Sequence, residues 1–373
     1  MSALAVLCAA SCATASAQAT TSSRTAALAR PAANPPPKLA VPPATGPEHV
    51  GTIAIPVFDP SRHRELMIQV WYPTRATRGR PAPYFTPAVA RLVAAADRIP
   101  VSVTTTIATH AFEASEPAPG QHPVVLYSPG SGEMRNDATA LVEELASRGF
   151  VAVGIDHTGE SKFVQFPDGR IVRGTFQDTG TGANTREMGV RVADVAAVLR
   201  ALPAISRHGL LAGALDLRHI GMFGFSLGGA TAAAAMRQLP AIQAGLDMSG
   251  TLYGDAVTTP LARPFLLLAG AMHNTDDPSW RSGWRELHGF RREIQLRRSG
   301  HLNFTDIAGF IDSLGLQSHY PPNVLGTIPA PAAITATRQL ITAYFDYFLK
   351  HDKDALTMLN APSQQNQYLL RLR

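Results

Sequence analysis

The chain predicts an α/β protein with an open, mostly parallel eight-stranded sheet, helices on both faces and cap-like insertions. Three observations carry this expectation. Apolar runs of strand length alternate with segments of helical period along most of the 373 residues. Ser226, flanked by glycines, stands between one such run and a helix of small residues. Two long segments follow neither period and fall between sheet elements, where loops above strand ends belong.

Residues 1–17 carry no charge, Leu4 to Ala10 are apolar, and Ala15-Ser16-Ala17 matches an Ala-x-Ala cleavage signal, so export is expected. A basic n-region is missing, and the stretch is too short and too rich in small residues for a permanent membrane span. Residues 18–49 are rich in Ala, Pro, Thr and Ser, with Pro35-Pro36-Pro37 and Pro42-Pro43, and read as a disordered tether before a single domain over 50–373. Strands are expected at Thr52–Phe58 and Leu66–Tyr72, forming a hairpin-like antiparallel edge. Six more follow at Pro123–Tyr127, Phe150–Ile155, His219–Phe225, Ile242–Met248, Pro264–Leu268 and Glu293–Leu296, alternating with helices as parallel pairing requires. Between Arg186 and Ile205, Met188, Val192, Val195, Leu199 and Leu202 recur at helical spacing, and Pro203 ends that helix or lies in its last turn. Further helices are expected over Ala138–Ser147 and Ala333–Lys350. The insertions are Tyr84–Gln121 and His157–Thr185, read as loops or caps over the carboxyl ends of the strands, where ligands bind. Trp71, Trp280, Trp284, Tyr84 and Phe85 read as core aromatics, with an apolar cleft as the alternative.

Composition narrows the function classes. With 45% hydrophobic and 16% charged residues, the chain can bury a large core. Its net charge of +5 is spread thinly, with pairs such as Arg291-Arg292 and Arg297-Arg298 but no basic run interleaved with aromatics, which argues against nucleic acid. A mildly basic surface remains compatible with peripheral contact with anionic lipid or cell envelope. Both cysteines, Cys8 and Cys12, lie within the export signal, so a cleaved chain has neither thiol nor disulfide; lipid modification of Cys12 is the less favoured alternative.

The chemistry centres on His219-Ile220-Gly221-Met222-Phe223-Gly224-Phe225-Ser226-Leu227-Gly228-Gly229-Ala230-Thr231. A Gly-x-Ser-x-Gly turn between strand and helix lifts the hydroxyl clear of the sheet, and side chains at Gly224 or Gly228 would collide with the adjoining helix or strand. The helix N-terminus puts backbone N–H groups where a negative charge would develop. A serine hydroxyl needs a base within hydrogen-bonding reach and a third group to hold that base. Asp247, ending the run from Ile242, and His301, in the loop after the last expected strand, follow Ser226 in the order such a sheet demands. Asp276 or Asp277, after the strand at Pro264–Leu268, is the rival acid, and either could instead cap the helix entered at Pro278. His157 is either a pocket residue or a local backbone partner, and Asp306 reads as a structural partner. Gly130-Ser131-Gly132 and Gly180-Thr181-Gly182 lack the spacing of a nucleotide loop, and no His-Glu-x-x-His pattern occurs, so neither cofactor nor metal is expected.

Several ordered motifs between Thr52 and Leu349 resemble the platelet-activating-factor acetylhydrolase family of α/β-hydrolases, including its bacterial lipase-like members. The elbow Gly224-Phe225-Ser226-Leu227-Gly228-Gly229-Ala230-Thr231, the pair Leu246-Asp247 and the run Ser299-Gly300-His301-Leu302-Asn303-Phe304-Thr305-Asp306 are similar to that family's serine, acid and histidine segments. Pro123 to Gly132 resembles its oxyanion loop, and Ala146 to Phe150 the segment leading into the next strand. The resemblance implies an α/β-hydrolase fold, Ser226 as nucleophile, His301 as base and then acid, Asp247 as orienter, and the backbone N–H groups of Leu227 and Ser131 as the oxyanion hole. It also implies an exported esterase or lipase acting on phospholipid or other carboxylic esters. Phe225 and Pro129 depart from histidines common in the family and alter the polarity of the acyl pocket, which puts specificity for a short acetyl chain in doubt. Two rival readings keep the fold: an envelope-associated binding protein with a vestigial elbow, and an acyltransferase using the same residues.

Overall fold

Apolar strand-length runs, too hydrophobic to face water on either side, fix the centre of the molecule. A computed structural model describes residues 38–175, 181–271 and 277–373. The export segment with Cys8 and Cys12, most of the expected tether and Asp276 lie outside the described residues. The strands are β1 (His49–Asp59), β2 (Arg64–Thr74), β3 (Ala111–Glu113), β4 (His122–Ser128), β5 (Val151–Asp156), β6 (Phe163–Gln165), β7 (Ile171–Arg173), β8 (Leu215–Phe225), β9 (Ile242–Met248), β10 (Phe265–Gly270), β11 (Arg291–Leu296) and β12 (Leu369–Arg371). Ten form one sheet in the order β12-β11-β10-β9-β8-β4-β5-β2-β1-β3, and β6 and β7 form a separate hairpin. From β5 through β11 the neighbouring strands pair in parallel. All eight expected strands are present.

The differences lie at the margins. β1 and β2 form the antiparallel hairpin, from His49 opposite Thr74 to Asp59 opposite Arg64, but they are not the edge. β3 pairs parallel with β1, and β12 covers the other end antiparallel to β11. Each has only three residues, too few to show an alternating pattern. The insertions are more than loops. The first carries helices Pro87–Asp97 and Val101–Thr105 together with β3; the second carries the β6–β7 hairpin and the start of helix Thr181–Ile205. With β1 and β2 they wall a cavity of about 240 Å³ lined by Trp71, Tyr84, Phe85, Arg135, Phe163 and Gln165 among others, and neither Ser226 nor His301 lines it. Trp71, Tyr84 and Phe85 are nonetheless buried, as expected of core aromatics, and Trp280 is a core residue whose indole N–H donates to Gly250 O at 2.5 Å.

The expected tether ends earlier than its composition suggests. Leu39 and Val41 are buried, and Val41 N–H donates to Ala108 O at 2.9 Å. An extended proline segment leaves its carbonyls without internal partners. Arg338 takes two of them, Pro42 O at 2.6 Å and Pro43 O at 2.8 Å, while the Thr45 hydroxyl donates to Glu144 at 2.7 Å.

Strand alternation divides the core between two faces. Val125, Tyr127, Phe223, Phe225, Leu246 and Met248 pack with helices Thr139–Ser147 and Ala330–Leu349. Val124, Leu126, Val151, Val153 and Met222 pack with helix Thr181–Ile205, which holds Pro203 in its last turn, and with helix Leu227–Gln238. Both faces are therefore covered, and the open ground lies at the carboxyl ends of the parallel strands.

Candidate active site

β8 delivers Ser226 at such an end. The residue has φ 54° and ψ −123°, a left-handed-side conformation that L side chains rarely adopt, and its N–H donates to Met248 O on β9 at 2.8 Å. The tight crossing needs glycine on both sides. A Cβ on Gly224 would stand 2.1 Å from the backbone of Gly228, and one on Gly228 would stand 1.9 Å from Ser128 O. Helix Leu227–Gln238 follows at once, and the N–H groups of Gly229 and Ala230 return to Ser226 O. The N–H of Leu227 has no hydrogen-bond partner among the described residues, as the first turn of a helix dictates.

β11 leads to His301, which opens a short 3₁₀ turn, His301–Phe304. Asn303 Oδ1 fixes this turn by accepting the N–H groups of Gly300 at 2.7 Å and Gly326 at 2.9 Å, and His301 N–H donates to Asn323 O. The imidazole Nε2 lies 3.0 Å from Ser226 Oγ. Its Nδ1 lies 3.0 Å from the hydroxyl of Ser249, a buried residue at φ 58°. Phe225 packs on the same ring, centroid to centroid 4.6 Å, and is itself buried. The two residues that must meet for nucleophilic chemistry do meet.

Asp247 corrects the expectation for the orienting acid. Its Oδ1 accepts Gly250 N–H at 2.9 Å, its Oδ2 has no hydrogen-bond partner among the described residues, and it makes no bond to His301. β9 register explains this: Asp247 pairs beside Gly224, and its side chain runs beneath the elbow helix, where a Cβ on Gly229 would meet Oδ1 at 1.7 Å. Burial, with the charge of Asp277 adding to it, pushes this carboxyl well above the usual range. Asp277 also makes no bond to the histidine. It caps helix Pro278–Glu286, accepting Ser279 N–H at 2.8 Å and the Thr251 hydroxyl at 2.8 Å. Asp306 is the structural partner expected, accepting Ala140 N–H and the Tyr84 hydroxyl.

His157 is a second correction. It is wholly buried at the end of β5, with Nε2 2.9 Å from Ser128 Oγ and Nδ1 3.0 Å from Asp194 Oδ2. Desolvation and the Arg191 charge push its proton affinity down despite Asp194. Ser128, His157 and Asp194 thus form a serine–histidine–aspartate chain with no exposed member, and the two ring nitrogens of His157 are taken by side chains rather than by local backbone. Pro129 is buried as well.

The loop from Ser128 to Gly132 is held by residues that the sequence reading did not single out. Arg191 and Glu160 form a buried, two-pronged ion pair, and Asp194 is salt-bridged to Arg64 at 2.7 Å. One signal was available: Arg191 lies three residues after Met188 and next to Val192, a cation on the apolar face of its helix, where an unpaired charge would be very costly.

The sheet order and the placing of serine and histidine on it are those of an α/β-hydrolase. Residues 36–167, which include the Ser128–Gly132 loop, match the family described as platelet-activating factor acetylhydrolase, isoform II. A stretch of 261 residues is 27% identical to a probable 1-alkyl-2-acetylglycerophosphocholine esterase of Arthroderma benhamiae, covering 65% of this chain and 64% of that relative's own length. A ferulic acid esterase from Streptomyces cinnamoneus has a similar structure, with a TM-score of 0.79 at 30% identity over 90% of this chain and 99% of that one. The chain is an α/β-hydrolase, similar to the platelet-activating-factor acetylhydrolase family and to these esterases.

Proposed function

We propose that the protein hydrolyses carboxylic esters through an acyl-enzyme on Ser226. The observation that carries this reading is the 3.0 Å approach of His301 Nε2 to Ser226 Oγ on a strained elbow. Nε2 takes the hydroxyl proton as Oγ bonds to the ester carbonyl carbon, and the charge passes to the carbonyl oxygen. The N–H groups of Leu227 and Ser131 receive that oxyanion. The carbon–oxygen bond to the alcohol then breaks, and Nε2–H gives its proton to the departing oxygen. Water repeats the sequence on the acyl-enzyme and releases the acid and Ser226.

Asp276, which lies outside the described residues, is the candidate that the sequence leaves for orienting His301. The sequence offers it after β10, and Asp247 and Asp277 are committed elsewhere. Substrates are esters of small acyl groups, alkyl or aromatic, on a lipid or a small alcohol. The named activities of the two relatives, an acetylglycerophosphocholine esterase and a ferulic acid esterase, support that range. Export rests on the sequence of residues 1–17.

The test is turnover of p-nitrophenyl esters of graded acyl length by the wild-type protein and by Ser226→Ala. Serine-dependent hydrolysis that is highest for the shorter chains is the expected result. Equal rates with and without Ser226, or no turnover at any length, would sink the reading.

A further inference from the structure

We propose that Arg191, tied to Glu160, is a positioning residue that aims the Ser131 N–H into the oxyanion hole. The inference rests on the esterase reading above and deepens it. Arg191 is fully buried, and all five of its guanidinium N–H donors find acceptors. Nε donates to Glu160 Oε2 at 2.7 Å; Nη2 donates to Glu160 Oε1 at 2.5 Å and to Gly130 O at 2.9 Å. Nη1 donates to Pro129 O at 2.6 Å and to Ser128 Oγ at 3.3 Å. Glu160 Oε1 also accepts Gly132 N–H at 3.1 Å, and Glu133 accepts Gly130 N–H at 3.1 Å.

One helical arginine and its carboxylate partner therefore hold Ser128, Pro129, Gly130 and Gly132. Within that loop the N–H of Ser131 has no hydrogen-bond partner among the described residues. Peptide planarity makes this selective. Gly130 C=O and Ser131 N–H belong to one trans peptide unit and point in opposite directions. Pinning that carbonyl to Arg191 therefore fixes where the Ser131 N–H points. Glycine at 130 makes rotation of this unit easy; Gly130 O also accepts Glu133 N–H at 3.1 Å within the turn, and Arg191 adds a charged donor that holds the same orientation from outside it. The Gly228 contact with Ser128 O sets the same loop against the elbow helix and the nucleophile it follows.

An oxyanion donor acts on the transition state, so loosening its aim lowers kcat more than it raises KM. The experiment compares wild-type protein, Arg191→Lys and Glu160→Gln for kcat, KM, melting temperature and affinity for an aryl trifluoromethyl ketone, which forms a charged tetrahedral adduct with the nucleophilic serine. For folded Arg191→Lys the expected result is a kcat lower by about 10²-fold, the size seen when one oxyanion donor is lost. KM should stay within about threefold, and inhibitor affinity should fall by the same factor as kcat/KM. Glu160→Gln keeps the arginine and one acceptor, and should lose less than Arg191→Lys.

Folded Arg191→Lys with kcat within about twofold of wild type would overturn the proposal, as would a fall in kcat that leaves inhibitor affinity unchanged. If that variant does not fold, Glu160→Gln decides, and wild-type kcat and inhibitor affinity would count against the clamp. If neither folds, a structure of the wild-type adduct decides: the Ser131 N–H must face the adduct oxygen with Gly130 O still on Arg191, and a flipped 130–131 peptide would refute it. Wild-type protein without ester turnover would instead mark failure of the esterase reading.

Discussion

Ser226 holds a backbone conformation that costs roughly 1–3 kcal/mol, and the surrounding contacts must impose it. They do so through Met248 O, the two flanking glycines and the helix that begins at Leu227. The serine and its order relative to His301 were legible because the elbow demands small neighbours in a fixed pentapeptide. The acid was not, because an aspartate at a strand end can turn towards the histidine or under the adjoining helix without any change in pattern. Asp247 turns under the helix, so Asp247→Asn should keep kcat within about tenfold, since the amide oxygen can still accept Gly250 N–H. Asp276→Asn should lose about 10⁴-fold, the usual result of removing the group that orients the histidine. Esterase kinetics on the two variants check this, and the opposite ranking would return the role to Asp247.

From Gly228 to Ala235 the helix Leu227–Gln238 carries only Gly, Ala and Thr, and this lets it cross β4 and β9 at backbone contact. Gly228→Ala places a methyl group against Ser128 O and Pro129 O, so the helix, the Ser128–Gly132 loop or both must shift. Overpacking of this kind costs about 1–3 kcal/mol, and here the displaced loop also carries the Ser131 N–H. Lowered urea stability together with a fall in kcat is expected; unchanged values of both would show that the crossing has slack. Helix Thr181–Ile205 was legible as a buried amphipathic helix from Val192, Val195, Leu199 and Leu202, but its work at the site was not. Arg191 and Asp194 lie on the buried face among those apolar residues, and their partners Glu160, His157 and Arg64 come from distant segments that periodicity cannot join.

Across the whole molecule, the sheet and its two helical layers followed from the eight apolar runs. What escaped was what closes its margins: two three-residue edge strands, and a proline segment whose docking depends on Arg338, nearly 300 residues away. A chain beginning at residue 49 should be less stable than one beginning at Lys38 by about 3–6 kcal/mol, the worth of burying Leu39 and Val41. Urea denaturation of the two chains measures this difference, and equal midpoints would show that the segment adds nothing. Stability should also depend on pH through Glu143, which joins helix Thr139–Ser147 to the first insertion. Its Oε1 accepts the N–H groups of His110 and Ala111, while its Oε2 is buried without a hydrogen-bond partner among the described residues. Burial pushes this carboxyl up to about 7 from 4.5. A raised carboxyl contributes its full stability below the unfolded value and loses it as pH rises through the folded one. Wild-type protein should therefore lose about 3 kcal/mol from this group between pH 4.5 and 7, and Glu143→Gln should flatten that slope. Urea midpoints for the two proteins at pH 5 and pH 8 give the comparison; parallel slopes would remove Glu143 as the cause.

The measurement that bears most directly on the central claim is intact-mass and peptide mapping of the protein after brief exposure to a fluorophosphonate probe. A single adduct on Ser226, formed at a rate that collapses in His301→Gln and absent from Ser226→Ala, is the predicted result. No adduct on Ser226 in folded wild-type protein, or labelling that ignores His301, would contradict the account.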